Sequence, residues 1–344
     1  MRPLANLHDD RGFDVSRAVE SGQADPADAF AQHYAWRMED LALQFYTVGG
    51  DSMVFTGDSD RLVGTLRRID HLVRALETHR EFVIVTHEED LDEVVAGGRK
   101  GLVLTIEGGA PLGSTDTMLL RTLYRLGLRS VNLLWFKANA IGDGLSEERG
   151  GGLTAFGREV MAEMNRLGML PDVSQASHAA FRDIVEASTV PVIASHSNAR
   201  AVVDTPRNLD DDELRALAAT GGLVGLNCFP ALVGRDQPGI DDLLLHVRHI
   251  ADVVGPDHVC FGMNIIPDAV NDGFFARDRI AASASHSGRD RAAARHLPDV
   301  SDVTALPRII DRMAETGFDD ATIEKVAFGN VVRVLRSVLR PRPA

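Results

Sequence analysis

One repeated unit constrains this chain more than any other feature: a short apolar run ends in polar side chains, and a helical segment leads to the next run. The clearest copy is Gly168–Asn208. Met169–Val173 is apolar and ends in Ser174, Gln175, Ser177 and His178. A helical stretch follows, with Phe181, Ile184 and Val185 at helical spacing, and Val190–Ala194 then ends in Ser195, His196, Ser197 and Asn198. Eight such runs occur: Leu4–Leu7, Leu41–Val48, Leu102–Ile106, Arg129–Leu134, Met169–Val173, Val190–Ala194, Leu223–Asn227 and Val259–Met263. Apolar runs alternating with helices form parallel sheets, and eight of them predict a single-domain (β/α)8 TIM barrel. No Pro/Ser-rich spacer divides the 344 residues into two domains. Phe82–Thr86 reads as a short strand outside the main sheet.

The connecting segments fit that plan. Asp60–His79 is the clearest helix, with Leu62, Val63, Leu66, Ile69, Leu72, Val73 and Leu76 on one face and Asp58, Ser59 or Asp60 as its N-cap. Thr154 caps a helix whose Phe156, Val160, Met161 and Met164 form a core stripe. The polar, Arg/His-rich tract 281–299 follows the last strand, where a loop over the barrel mouth is expected. A net charge of −14 with no basic patch argues against a nucleic-acid partner. No apolar run approaches the roughly 20 residues of a membrane span, and Met1–Asp10 lacks the apolar core of a signal peptide, so a cytoplasmic location is the expectation. Cys228 and Cys260 each lie inside an apolar run and read as buried thiols.

In a barrel of this kind, chemistry belongs at the carboxyl ends of the strands. Those ends carry His8 and Asp10, then Glu107, Trp135 with Asn139, Gln175, His196 and Asn264. In His-x-Asp both side chains fall on the same side of a strand. A carboxylate such as Glu107 is able to bridge two cations, and histidine with carboxylate suits zinc or a similar divalent metal. Each residue alone admits a plainer reading: His8 as a surface histidine, Glu107 as a turn residue before Gly108, His196 as a loop histidine. Their joint placement is what points to a metal site.

Several stretches then carry a resemblance. LHDD near the start, IEGG at 106–109, LTAFGREVMAEMNRLGMLPDVS at 153–174, PVIASHSNARA at 191–201, PRNLDDDELRALAATGGLVGLN at 206–227 and FGN at 328–330 resemble the membrane dipeptidase (renal dipeptidase-like) family of metal-dependent amidohydrolases. The resemblance implies a (β/α)8 barrel, zinc held by His8, Asp10 and Glu107, and Glu107 bridging to a second zinc with His196. It implies that Arg207 receives the substrate's terminal carboxylate, a role that suits a guanidinium fork. A structural salt bridge is the alternative role for Arg207. A homodimer is the family expectation.

Three positions depart from the family pattern. Gln175 stands where the family has a second-site histidine, Asn264 where it has a proton-shuttling aspartate, and Trp135 where it has a histidine that polarises the scissile carbonyl. A neutral amide is a weak ligand, so one ion, or none, is expected rather than two. Asparagine cannot accept a proton from water, and a positioned base contributes about 10²–10⁴-fold. His178 and Asp268 lie close enough in sequence to stand in for Gln175 and Asn264. Trp135 and Asn139, with Arg207, are expected to line the substrate. Three functions stay open: a hydrolase of a dipeptide or amino-acid-derived amide, an enzyme of altered chemistry in a specialised biosynthetic pathway, and a non-catalytic binding protein.

Overall fold

The computed structural model of the chain describes residues 2–51, 60–234, 237–265 and 296–343. Nine strands form one parallel sheet: β1 (Leu4–Asn6), β2 (Leu41–Gly50), β3 (Phe82–Ile84), β4 (Lys100–Glu107), β5 (Leu128–Asn132), β6 (Leu170–Asp172), β7 (Ile193–Ala194), β8 (Leu223–Leu226) and β9 (Val259–Phe261). Their order is β1-β2-β4-β5-β6-β7-β8-β9, and β3 pairs only with β4. The strand expected outside the main sheet is instead joined to it, as a branch on β4 that stays off the barrel path. The Leu7 amide donates to the Phe261 carbonyl at 2.8 Å, and the Met263 amide to the Asn6 side chain at 2.8 Å, so the last strand meets the first. This is the nearly closed, single-domain (β/α)8 barrel that the alternation predicts.

Two runs differ in detail. β7 keeps only Ile193 and Ala194 of the expected Val190–Ala194, because Pro191 has no N–H to give a ladder. Helix Arg61–Leu76 is capped by the Asp60 carboxylate, which accepts from the Val63 amide. Its buried line, however, runs through Thr65, Arg68, Ile69, Leu72 and Ala75, while Val63 and Val73 are exposed. The expected stripe of seven apolar residues is wider than the face that the barrel covers. Thr154 caps helix Ala155–Leu167 through the Gly157 amide, as expected.

Alternate residues of each strand face opposite ways, and that alternation makes two cores. Leu4, Tyr46, Leu102 and Val224 pack outward against the helices. Ala5, Phe45, Val103, Leu170, Ile193, Leu223 and Cys260 share one cluster with Val331, Val334 and Leu335 of helix Asn330–Val338. Only the lumen is common to strands on opposite sides of a barrel, so this helix closes the amino-terminal end. The opposite end stays polar, with Asn6, Gln44, Glu107, Asn132, Asp172, His196 and Asn227 all buried there. Among the described residues no helix is long and apolar enough to cross a membrane. Of the expected mouth loop 281–299, residues 281–295 lie outside the described residues, as does Asp268.

Candidate metal centre

The strand ends bring His8, Glu107 and His196 together. One ligand atom from each lies within 4.8 Å of the other two, and all three residues are buried. The His8 and His196 rings face each other with centroids 3.8 Å apart. His8 Nε2 lies 3.3 Å from Asp10 Oδ2 and 3.8 Å from Glu107 Oε1. Thus four of the expected ligands, from β1, β4 and β7, share one buried pocket of the rim.

The electrostatics of this pocket call for positive charge. His196 Nε2 lies 3.3 Å from Glu107 Oε1 and has no hydrogen-bond partner, and the same is true of Asp10 Oδ1. Burial, helped by the neighbouring His8 and Arg207, pushes the His196 pKa well below its usual value, so its imidazole is neutral. Burial alone also lowers His8, but Asp10, Glu107 and Asp172 outweigh it and hold its pKa up to about 9. A lone pair facing a carboxylate across 3.3 Å, beside an orphaned carboxylate oxygen, is the donor set that a divalent cation satisfies. The residues fit zinc.

Gln175 joins this cluster through nitrogen. Its Nε2 donates to Glu107 Oε1 at 2.9 Å, and its Oε1 accepts from Asn132 Nδ2 at 3.1 Å. A carboxylate only accepts, which fixes which end of the amide faces Glu107. Gln175, expected as a weak ligand, thus turns no oxygen toward a cation here. Gln175 also has φ +67°, a left-handed backbone uncommon outside glycine and asparagine, and the two amide bonds hold it there.

His178 does not take over from Gln175. It opens helix His178–Ala187, and its Nδ1 meets Glu213 Oε1 at 2.6 Å, which raises its pKa. With Gln175, Arg207 and Glu213 it lines a small cavity beside the metal pocket. Arg207 is buried and donates to Ser197 Oγ and to the His196 carbonyl, each at 2.7 Å. Burial lowers its pKa to about 10, so it stays charged. Among the described residues no carboxylate lies within ion-pair distance of it, so the salt-bridge alternative has no partner.

The sequence pattern of the membrane dipeptidase family (peptidase family M19) matches residues 28–274, well over half of the chain. This chain belongs to that family. The matched stretch begins after His8 and Asp10, so those two expected ligands rest on the geometry given above. Dipeptidase tcpJ of Claviceps purpurea is 30% identical over 279 residues, which are 80% of this chain and 60% of that protein. Dipeptidase 3 of Mus musculus is 29% identical over 294 residues, 83% of this chain and 54% of that protein. The chain thus spans little more than half the length of these relatives. A metallopeptidase from Rhodobacter sphaeroides, solved with a phosphinate mimic of L-Ala-D-Ala, superposes with a TM-score of 0.80 at 22% identity, covering 98% of this chain and 99% of that one.

The other two positions expected to differ from the family, and Asn139, lie as follows. Asn264 follows β9 in the left-handed region, φ +51°, which asparagine tolerates. Trp135 is buried beyond β5, with its ring centroid 5.1 Å from that of Phe136. Asn139 is tied into its own loop: Nδ2 donates to Asp51 Oδ2 at 2.9 Å and to the Leu133 carbonyl at 3.0 Å, and Oδ1 accepts from the Ile141 amide at 2.8 Å. These three bonds tie the Asn139 amide to Asp51 and its own loop. Sequence reasoning missed Asp172, Ser195 and Asn132, which brace the site from behind. The only sign of them was polar residues recurring at strand ends.

Proposed function

We propose that this chain is a metal-dependent hydrolase of a dipeptide or amino-acid-derived amide, working with one divalent cation, zinc. The observation that carries this reading is His196 Nε2 facing Glu107 Oε1 at 3.3 Å, both buried, with Asp10 Oδ1 orphaned beside them. His8, Asp10, Glu107 and His196 would hold the ion. When bound, such an ion supplies Lewis-acid polarisation and lowers the pKa of a water. Gln175 brings an amide N–H to Glu107 where a second-site imidazole would bring a ligating lone pair, so we read the second site as degenerate. Arg207 supplies a buried guanidinium with no carboxylate partner among the described residues, for the substrate's carboxylate, with Ser197 and the His196 carbonyl fixing its plane. Asn264 can orient water or substrate by hydrogen bonding but cannot take a proton. Trp135 contributes apolar surface, and no histidine polarises the scissile carbonyl from that position.

The free, buried Cys228 and Cys260 agree with a reducing compartment, which supports the cytoplasmic reading. A homodimer remains part of the proposal. Gln175 on Glu107 favours one second reading, an enzyme of altered chemistry on a related substrate. A panel of dipeptides and N-acyl amino acids, assayed with zinc and with chelator, separates the two. Zinc-dependent release of an amino acid, lost in Glu107→Ala, supports the hydrolase. A chain that binds zinc and a carboxylate yet cleaves nothing on the panel supports the second reading.

A further inference from the structure

β6 and β7 lie side by side in register, Asp172 opposite Ile193, and behind the metal pocket their ends form a hydrogen-bonded chain. Asp172 Oδ1 accepts from the Ser174 amide at 2.9 Å and from the Ser195 amide at 3.0 Å, so two backbone donors pin the carboxylate. Its other oxygen, Oδ2, accepts from the Ser195 hydroxyl, and Ser195 Oγ lies 2.7 Å from His196 Nδ1. Ser174 Oγ accepts from the His196 amide at 3.1 Å and lies 3.5 Å from Ser195 Oγ. The His196 carbonyl is held in turn by Arg207 and, at 3.1 Å, by Asn227 Nδ2.

A serine hydroxyl has one proton, and here the carboxylate, which can only accept, takes it. Ser195 Oγ must then accept from His196 Nδ1, which therefore carries the ring hydrogen. That leaves Nε2 as a bare lone pair aimed at Glu107. We infer that Asp172 and Ser195 are positioning residues of the metal centre, a relay that fixes the tautomer and orientation of His196. The inference rests on the proposed role of His196 as a ligand, while the tautomer itself is independent of any ion. Partners of this kind behind a ligating histidine typically change metal affinity by about 10–100-fold.

The near-isosteric change Asp172→Asn tests the polarity of the relay. An asparagine would keep accepting both backbone amides through Oδ1 and donate to Ser195 Oγ through Nδ2. The serine proton would then turn to His196 Nδ1, and the ring hydrogen would move to Nε2, facing Glu107. We expect the ¹⁵N spectrum of the His196 ring to change from the Nδ1–H to the Nε2–H pattern in metal-free protein. We also expect an unchanged melting temperature and zinc affinity about 100-fold weaker in a chelator-competition titration. Ser195→Ala, which keeps every backbone bond, is expected to lose about 10-fold. An unchanged tautomer in Asp172→Asn, or wild-type zinc affinity in both variants, overturns the relay. If wild-type protein binds no zinc, the ligand role of His196 fails, while the ¹⁵N pattern still decides the relay.

Discussion

Substituting Gln175 by histidine tests whether the amide really replaces a second cation. In metal-free protein the change removes a bond to a charged acceptor, worth about 1.5–3 kcal/mol, and a neutral bond from Asn132, worth about 1 kcal/mol. The left-handed backbone at φ +67° stays, and histidine tolerates it no worse than glutamine, so the backbone contribution cancels. The variant is therefore expected to be about 2.5–4 kcal/mol less stable without metal. Unfolding entropy of about 2.1 cal/mol/K per residue makes that a melting-temperature deficit of about 3–6 °C in a chain of 344 residues. With zinc the deficit narrows. An imidazole at this position offers a second site, and free zinc at 100 times its Kd adds about 2.7 kcal/mol to the variant alone. Thermal melts in chelator and in excess zinc, with zinc content measured alongside, read both effects. We expect a deficit in chelator that closes in zinc, one additional zinc per chain, and higher dipeptidase activity when Asn264→Asp is added. The same deficit in both conditions, with no extra zinc, would refute the argument that the amide stands in for a cation.

Arg207→Lys is expected to raise KM at least tenfold for substrates with a free carboxylate and to change it little for amidated ones, because an ammonium that keeps Ser197 and the His196 carbonyl has one donor left and no fork for a carboxylate. Equal effects on both substrates would argue against carboxylate recognition. His246 gives a pH signature of the fold: its Nδ1 accepts from the Ala199 amide at 3.1 Å, its Nε2 donates to the Val233 carbonyl at 3.0 Å, and burial lowers its pKa to about 4. The unfolded state, titrating near 6.5, binds the proton first, so this contribution is full above pH 6.5 and falls by about 3 kcal/mol as pH drops to about 4. Denaturant midpoints across that range are expected to decline less in His246→Gln than in wild type; parallel declines would remove His246 as the cause.

Much of the fold was legible because barrel strands are buried on both faces and read as plain apolar runs, as Leu102–Ile106 and Val259–Met263 do. The convergence of His8, Glu107 and His196 was legible for a topological reason: parallel strands in a closed sheet put all their carboxyl ends on one rim. What the sequence could not disclose depends on partners from other strands. The direction of the Gln175 amide is set jointly by Glu107 of β4 and Asn132 of β5, neither near it in the chain. Asp172 is one more residue of the run Met169–Val173 until β7 places Ser195 and His196 beside it. The outward pairing of His178 is set by Glu213, which lies 35 residues away. The bonds from Asn139 to Asp51 and to its own loop were likewise hidden, since Asp51 lies 88 residues away.

All of this depends on one buried cluster gripping one cation. Equilibrium titration of chelator-stripped protein with zinc, read by metal content after desalting, measures that directly. We expect one zinc per chain in wild type and none in Glu107→Ala. Two zinc ions in wild type, or one retained when Glu107 is gone, would contradict the account.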